Sequence, residues 1–269
     1  MRWSPGVRRK RLRRRLDTEL VRRGLTPTRT AAHDAIRDGR VVVGGRATAK
    51  PATMVAPDEA ITVRTDEEPW ASRGGEKLAA ALERFSIDVA GADALDVGAS
   101  TGGFTDVLIR GGARRVVALD VGYGQMLWHL RNHPAVVVVD RTNFRIVDPT
   151  ALGAPFDVVV MDVSFIGASL LAVPLASVGR AGTDYVVLVK PQFEVGPQRV
   201  GRGGIVRDPD AHRDAVAAVT AALADVEIGV LGAMPSPITG AKGNREFLVH
   251  GRLGSPGIDA AVAASEAVQ

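Results

Sequence analysis

Residues 94–104, Ala94-Leu95-Asp96-Val97-Gly98-Ala99-Ser100-Thr101-Gly102-Gly103-Phe104, constrain the fold of this chain more than any other stretch. An apolar strand runs into a glycine-rich turn and then directly into a helix. That order opens a βα crossover, which places the following strand parallel to the first. The glycines carry no Cβ atoms, so a ligand can lie against the main chain at the N-terminus of the helix. Tight βα turns also use glycine for steric reasons alone, and the surroundings must decide between the two.

The surroundings alternate in the same way. From residue 74 onward the periodicity predicts a helix over 76–85, strand 92–97, helix 104–110, strand 115–120 and helix 125–131. Strands over 135–139 and 156–162, a helix over 168–178 and strand 185–190 follow. A helix over 210–224, capped by Asp208-Pro209, precedes strands 227–231 and 245–250. This is the pattern of a doubly wound α/β domain, a Rossmann-like sheet of seven strands over 74–252, with a frayed tail over 253–269. The 46% hydrophobic and 4% aromatic composition gives it an aliphatic core.

The N-terminal part reads differently. Seven of the eight residues 8–15 are basic, an asymmetry that the net charge of +4 conceals, and it points to a polyanionic partner. Leu12, Leu16, Leu20 and Val21 recur at helical spacing over 8–23, ending at Gly24. Thr26-Pro27 starts a second helix carrying Ala31, Ala32, Ala35 and Ile36. Small strands over 40–43 and 60–63, with a Gly44-Gly45 hairpin turn and Lys50-Pro51 in a loop, complete a compact unit over 14–63. A basic extension over 1–13 precedes it, and a polar linker over 64–73 follows, in which Trp70 is expected to anchor against the larger domain.

No apolar segment of signal-peptide length follows the basic run, and no 18-residue apolar stretch occurs, so a cytoplasmic protein is expected. The absence of cysteine excludes disulfides, thiolate zinc sites and cysteine nucleophiles, and no metal is expected.

Arg15-Leu16-Asp17-Thr18-Glu19-Leu20, Arg23-Gly24-Leu25, Thr28-Arg29, residues 36–41, Gly44-Gly45 and Lys50-Pro51 resemble the S4 RNA-binding module. The resemblance implies that Arg15, Arg29, Arg40 and Lys50 face RNA. Thr28 stands where the module often has serine, and Gly45 where it often has asparagine. Phosphate contacts of this kind give affinity and salt dependence more than sequence choice.

In the α/β domain the strand ends are polar: Asp96, Asp120, Asp140, Asp162 and Lys190. Ligands of open α/β sheets sit at these ends, and four carboxylates gathered there favour a cationic ligand. Asp120, 22 residues beyond Gly98, has the spacing of a ribose-binding acid in either a nicotinamide or an S-adenosylmethionine pocket. A dinucleotide site needs Gly-x-Gly-x-x-Gly; here Ser100 takes the second glycine position and acidic Asp96 precedes the turn. Both favour a sulfonium methyl donor over a pyrophosphate. Asp96, Gly98, Ser100, Gly102, Phe104, Asp120 and Asp140 are therefore the expected cofactor-binding residues.

Residues 72–78, 96–105, 120–125, 161–166 and 189–194 resemble the TlyA, or hemolysin-A-like, family, S4-bearing relatives of the FtsJ-type ribose methyltransferases. The resemblance covers nearly the whole chain. It implies S-adenosylmethionine-dependent 2′-O-methylation of ribosomal RNA within ribosomal subunits, at a cytidine of 16S and/or 23S rRNA. Its Lys-Asp-Lys-Glu tetrad falls on Lys77, Asp162, Lys190 and Glu246, the last supported by Gly243-Asn244-Arg245-Glu246-Phe247. Lys190 is expected as the base, Lys77 as a second positive charge, and the two acids as their partners. None of the five histidines enters this scheme. The segment 196–207, with Arg199, Arg202 and Arg207, reads as a mobile phosphate-gripping lid or an ordinary connection. Two other functions compete: a non-catalytic RNA-binding assembly factor, and membrane lysis as the hemolysin name implies.

Overall fold

The computed structural model describes residues 13–37, 39–47, 50–63 and 70–268. The basic extension, apart from Arg13, and the linker over 64–69 lie outside the described residues. The chain divides into two compact units, Met1–Pro69 and Trp70–Gln269.

In the first unit the elements are β1 (Arg14–Arg15), α1 (Leu16–Arg22), α2 (Arg29–Arg37), β2 (Val41–Val43), β3 (Arg46–Ala47), β4 (Met54–Val55) and β5 (Ile61–Val63). Strands β3, β2 and β5 form one antiparallel sheet, and β1 pairs with β4 in another. Gly44 and Gly45 both have positive φ, as a two-residue hairpin turn requires. Leu16, Leu20, Ala32, Ile36, Val41 and Val55 close the core. The first helix starts later than its apolar spacing predicts. Arg14 and Arg15 are extended because β4 offers them backbone partners, and Leu16 N–H donates to the Thr53 carbonyl at 2.8 Å. That pairing is nonlocal, so local spacing could not reveal it.

The second unit contains α3 (Gly74–Phe85), β6 (Asp93–Val97), α4 (Gly103–Arg110), β7 (Arg115–Leu119), α5 (Trp128–Arg131), β8 (Val136–Val139), α6 (Pro149–Leu152) and β9 (Val158–Met161). Then come α7 (Ala172–Ser177), β10 (Asp184–Val189), α8 (Pro191–Glu194), α9 (Pro209–Ala224), β11 (Ile228–Pro235), β12 (Phe247–Leu253) and α10 (Ala260–Ala267). The seven strands are ordered β11-β12-β10-β9-β6-β7-β8. Strand order reverses between β6 and β9, and the crevice beyond their carboxyl ends is where such a sheet binds ligands.

Alternation along the buried strands feeds two cores. Leu95, Val97, Val159 and Met161 face α7, α9 and α10, whereas Ala94, Val158 and Val160 face α3 and α4 with Leu78, Phe104 and Leu108. The sheet is not wholly parallel: β12 runs antiparallel to both β10 and β11. The connection over 236–246 contains no crossover helix, so the chain returns antiparallel.

Three further expectations are corrected. Helix α5 begins at Trp128 rather than 125, because Gly122 N–H and Gly124 N–H donate to Asp120 and Asp140 and hold 122–125 as a loop. The segment 168–178 is a 3-10 turn over Ala168–Leu171 leading into α7. The tail is not frayed: Asp259 caps α10, and Ala263, Ala264 and Ala267 are buried in the core. Alanines give a weak amphipathic signal, which hid this helix in the sequence. Among the described residues no helix is long and apolar enough to cross a membrane.

Candidate active site

At the carboxyl ends of β6, β7 and β9 two cavities of about 420 Å³ each meet at Gly98, Ser100 and Asp162. Gly98 has φ +88°, and a Cβ there would stand 2.4 Å from the Asp162 carbonyl oxygen. Only glycine lets the turn pass so close to the end of β9. One cavity is lined by Lys77, Asp162, residues 98–101, Gly103, Phe104 and Ile238–Gly240; the other by Asp120, Val121, Phe144, Val163, Ile166 and Leu171 among others.

Lys77, on α3, reaches into the first cavity with its side chain almost buried. Its ammonium lies 2.6 Å from Glu246 and 3.8 Å from Asp162. Lys190, just beyond β10, lies 2.5 Å from Asp162 and donates to Ser164 Oγ at 2.9 Å. Two cations and two carboxylates thus form one chain, Glu246–Lys77–Asp162–Lys190. Four segments distant in sequence supply its members: α3 and the ends of β9, β10 and the 236–246 connection. Burying four charges is tolerable because each has an opposite partner within contact distance.

The predicted cofactor residues divide into two groups. Gly98, Ser100, Phe104 and Asp120 line the crevice. Asp120 accepts from Ser100 N–H at 2.8 Å and from Gly122 N–H at 2.7 Å, so it pins the turn after β6 to the turn after β7. Asp96, Gly102 and Asp140 do not line it. Strand alternation carries Asp96 inward beside Ala94, where it accepts from Thr105 Oγ1 at 2.6 Å. Its complete burial pushes its pKa up to about 7, with Thr105 opposing that rise. Gly102 has φ +100°, and a Cβ there would meet Leu130 at 2.4 Å, so its role is packing. Asp140, beyond edge strand β8, pairs with Arg131 and braces Gly124.

In the first unit the cations gather around one carboxylate. Asp17, fully buried, accepts from Arg15 at 2.9 and 3.1 Å, from Arg29 at 3.0 and 3.2 Å, and pairs with His33 at 3.0 Å. The Arg15 guanidinium, foremost among these, holds the Asp17 carboxyl well below the usual carboxylate range. Arg15, Arg29 and His33 remain about half exposed. Asp17 N–H donates to the Pro51 carbonyl at 3.2 Å, which brings the turn bearing exposed Lys50 to the same place. Arg40 is set apart: its backbone N–H is bonded to Ala35 at the far end of α2 from Arg29.

Residues 70–253 match the FtsJ-like methyltransferase family model. The chain belongs to the FtsJ-like methyltransferase family. Residues 14–61 match the S4 domain model. The chain is 48% identical over 238 residues, 88% of its length and 89% of the relative's, to the 16S/23S rRNA (cytidine-2'-O)-methyltransferase TlyA of Mycobacterium tuberculosis. It is 36% identical to Hemolysin A of Brachyspira hyodysenteriae, over 88% of this chain and 98% of that one. A solved structure from Streptococcus thermophilus, named as a hemolysin, is 36% identical, superposes with a TM-score of 0.72, and covers 96% of this chain and 95% of its own.

This FtsJ-like crevice also contains residues to which the sequence had assigned no role in the site. Ser72, Arg73 and Gly74 line its first cavity, and the residues before them anchor that stretch: Ala71 N–H donates to Asp106 at 2.8 Å, and Trp70 packs on the α3–α4 side under the Arg110 guanidinium. Arg73 reaches the Thr239 carbonyl at 3.3 Å and closes one wall. Ser164 holds Lys190, and its place in Asp162-Val163-Ser164 was the only sequence signal for it. Ile238–Gly240 carried no signal, because the loop reaches the site only through the β11–β12 hairpin.

Proposed function

We propose that this FtsJ-like methyltransferase transfers a methyl group from S-adenosylmethionine to a ribose 2′-oxygen of ribosomal RNA, a cytidine ribose by analogy with the TlyA relative. The observation that carries the reading is the Glu246–Lys77–Asp162–Lys190 chain at the crevice formed by β6 and β9.

The crevice suits the methyl donor. Gly98 offers a bare backbone floor, Asp120 stands at the end of β7, and Val121, Phe144, Val163 and Ile166 provide apolar walls for a flat base. S-adenosylmethionine, when bound, supplies an electrophilic methyl group. Asp162 lines both cavities; of the two lysines paired with it, Lys77 lines the first cavity, and Lys190 is tied to the crevice through Asp162 and Ser164. Lys190 is the group to receive the proton of the attacking hydroxyl, which requires it to have first released its own ammonium proton to solvent; Asp162 and Ser164 fix its nitrogen for that task. Lys77, balanced by Glu246, orients the same hydroxyl and stabilises developing negative charge on oxygen. Positioning supplies much of the remaining acceleration, because the oxygen must approach the methyl carbon in line with the leaving sulfur. The S4 unit supplies affinity for the RNA backbone through Arg15, Arg29 and Lys50, with Arg40 as a separate contact.

Purified protein incubated with ribosomal subunits and methyl-labelled S-adenosylmethionine is expected to label rRNA on the ribose. Lys190→Ala is expected to lower the rate by roughly 10²–10⁴-fold while retaining cofactor affinity. Full activity of that variant removes Lys190 as the base, and absence of RNA labelling by the unmodified protein removes the reaction.

A further inference from the structure

The segment 196–207 is not a free lid. Gly201 N–H donates to the Ile205 carbonyl at 3.0 Å and Gly204 N–H to the Gly201 carbonyl at 3.0 Å, closing a small turn in which Gly203 and Gly204 have positive φ. Asn244 fastens this turn from below. Its side chain, almost wholly buried, accepts from Val206 N–H at 3.0 Å and donates to the Gly204 carbonyl at 2.8 Å. The Asn244 carbonyl accepts from Gly240 N–H at 2.9 Å, and Gly240 lines the crevice. A Cβ on Gly240 would stand 1.9 Å from the Glu246 carboxylate. His212 adds a second tether, with its Nε2 3.0 Å from the Val206 carbonyl. One asparagine therefore links the turn, the crevice rim and the strand entry that carries Glu246.

The charges on this anchored rim are unbalanced. Arg202, Arg207 and Lys242 are exposed, and among the described residues none of them forms an ion pair. Arg199, earlier in the segment, is by contrast paired with Asp208 and Asp214. The Arg207 guanidinium lies against the turn, 3.5 Å from where a Cβ on Gly201 would stand. Lys242 sits at φ +67° in the turn between Gly240 and Asn244. Three cations without carboxylate partners, on a backbone fixed beside a crevice, form a surface for a polyanion.

We propose that the 201–205 turn, with Arg207 and Lys242, is a phosphate-gripping arm of the catalytic unit that binds the RNA backbone flanking the target ribose, and that Asn244 is its positioning residue. This rests on the RNA-methylating reading given above. The arm places strand-holding charge on the Glu246 side of the crevice, within the unit that performs the chemistry. Affinity for RNA in this protein is then divided between the S4 unit and the catalytic unit.

The test uses full-length protein, ribosomal subunits and labelled S-adenosylmethionine over a range of KCl concentrations. In the combined variant Arg202→Ala, Arg207→Ala, Lys242→Ala, KM for RNA is expected to rise about ten-fold or more, and the log–log salt slope to fall by roughly one per lost contact. Cofactor affinity by calorimetry stays at the unmodified value. Asn244→Ala is expected to raise KM in the same direction and to be non-additive with Arg202→Ala, because both act through the turn. If Asn244→Ala melts early, the surface variants decide alone. An active unmodified protein whose combined variant keeps its KM and salt slope overturns the arm. An unmodified protein that labels no RNA overturns the reaction instead; fluorescence anisotropy of labelled rRNA with the same variants then judges the arm, an unchanged affinity and salt slope counting against it.

Discussion

Beneath the glycine turn, Asp96 keeps one carboxyl oxygen on Thr105 and leaves the other without a protein partner. Its folded pKa of about 7 exceeds the ordinary aspartate value near 4 because burial penalises the charged form. Between those two values the folded state holds a proton that the unfolded state has released. The associated stability is therefore fully present below about pH 4 and is lost as pH rises to about 7. In the unliganded protein, Asp96→Asn is expected to flatten this dependence. The stability of the unmodified protein relative to the variant should drop by on the order of a few kcal/mol between pH 5 and pH 8, read from urea midpoints. Equal pH profiles for the two proteins would remove Asp96 as the titrating group.

A different lesson comes from Asp17, where one buried carboxylate aligns several basic side chains. The S4 resemblance leads to the expectation that Arg15 and Arg29 face RNA, and the structure adds that Asp17 holds them together. Removing Arg15 and Arg29 together is expected to raise KM for RNA and reduce the salt slope by about two, one for each phosphate contact. Cofactor affinity should not change, because the crevice residues all belong to the other unit. Unaltered salt dependence in that double variant would move the RNA face elsewhere on the S4 unit.

At the scale of elements, α10 shows how a helix can be essential to packing and nearly silent in sequence. Ile258 N–H donates to the Val230 carbonyl at 2.7 Å, Ala233 N–H reaches Glu266 at 3.2 Å, and three alanines face the core below α9. Ala263→Asp is expected to destabilise the protein by about 3 kcal/mol or more, since it places a charge in a fully buried apolar position. Ser265→Asp, on the exposed side, should change the urea midpoint little. Equal effects at the two positions would mean that α10 is not docked. The β11–β12 hairpin makes a related point. Its strands were legible as apolar runs, but their antiparallel direction depends on the 236–246 connection having no crossover helix, and that same connection supplies Glu246 and the crevice rim.

At the scale of the whole molecule, most strands and helices were legible because their apolar periodicities are local properties of the chain. The boundary errors have largely nonlocal causes: β4 extends Arg14 and Arg15, and the bond from Gly124 to Asp140, with the local one from Gly122 to Asp120, delays α5. The site was legible in its motifs but not in its assignments. Lys77, Asp162, Lys190 and Glu246 meet, yet Asp96, in register with Val160 and so two residues before the level of Asp162, and Asp140, beyond edge strand β8, bind Thr105 and Arg131 instead.

The sequence by itself determined the order of strands and helices, the division into a basic S4 unit and an FtsJ-like unit, and the residue types available for chemistry. Those follow from periodicity, charge segregation and motif content, all of which are written along one dimension. Only the tertiary structure decided which polar groups share a cavity. A carboxylate at a strand end faces the crevice or the interior according to the register and the pleat, and two lysines 113 residues apart become neighbours only when α3 and β10 pack beside β9. The glycine turn at 98–103 stands at the junction of these two kinds of information. Its glycines were visible in the chain, and the reason for Gly98 is the backbone of Asp162 passing against it.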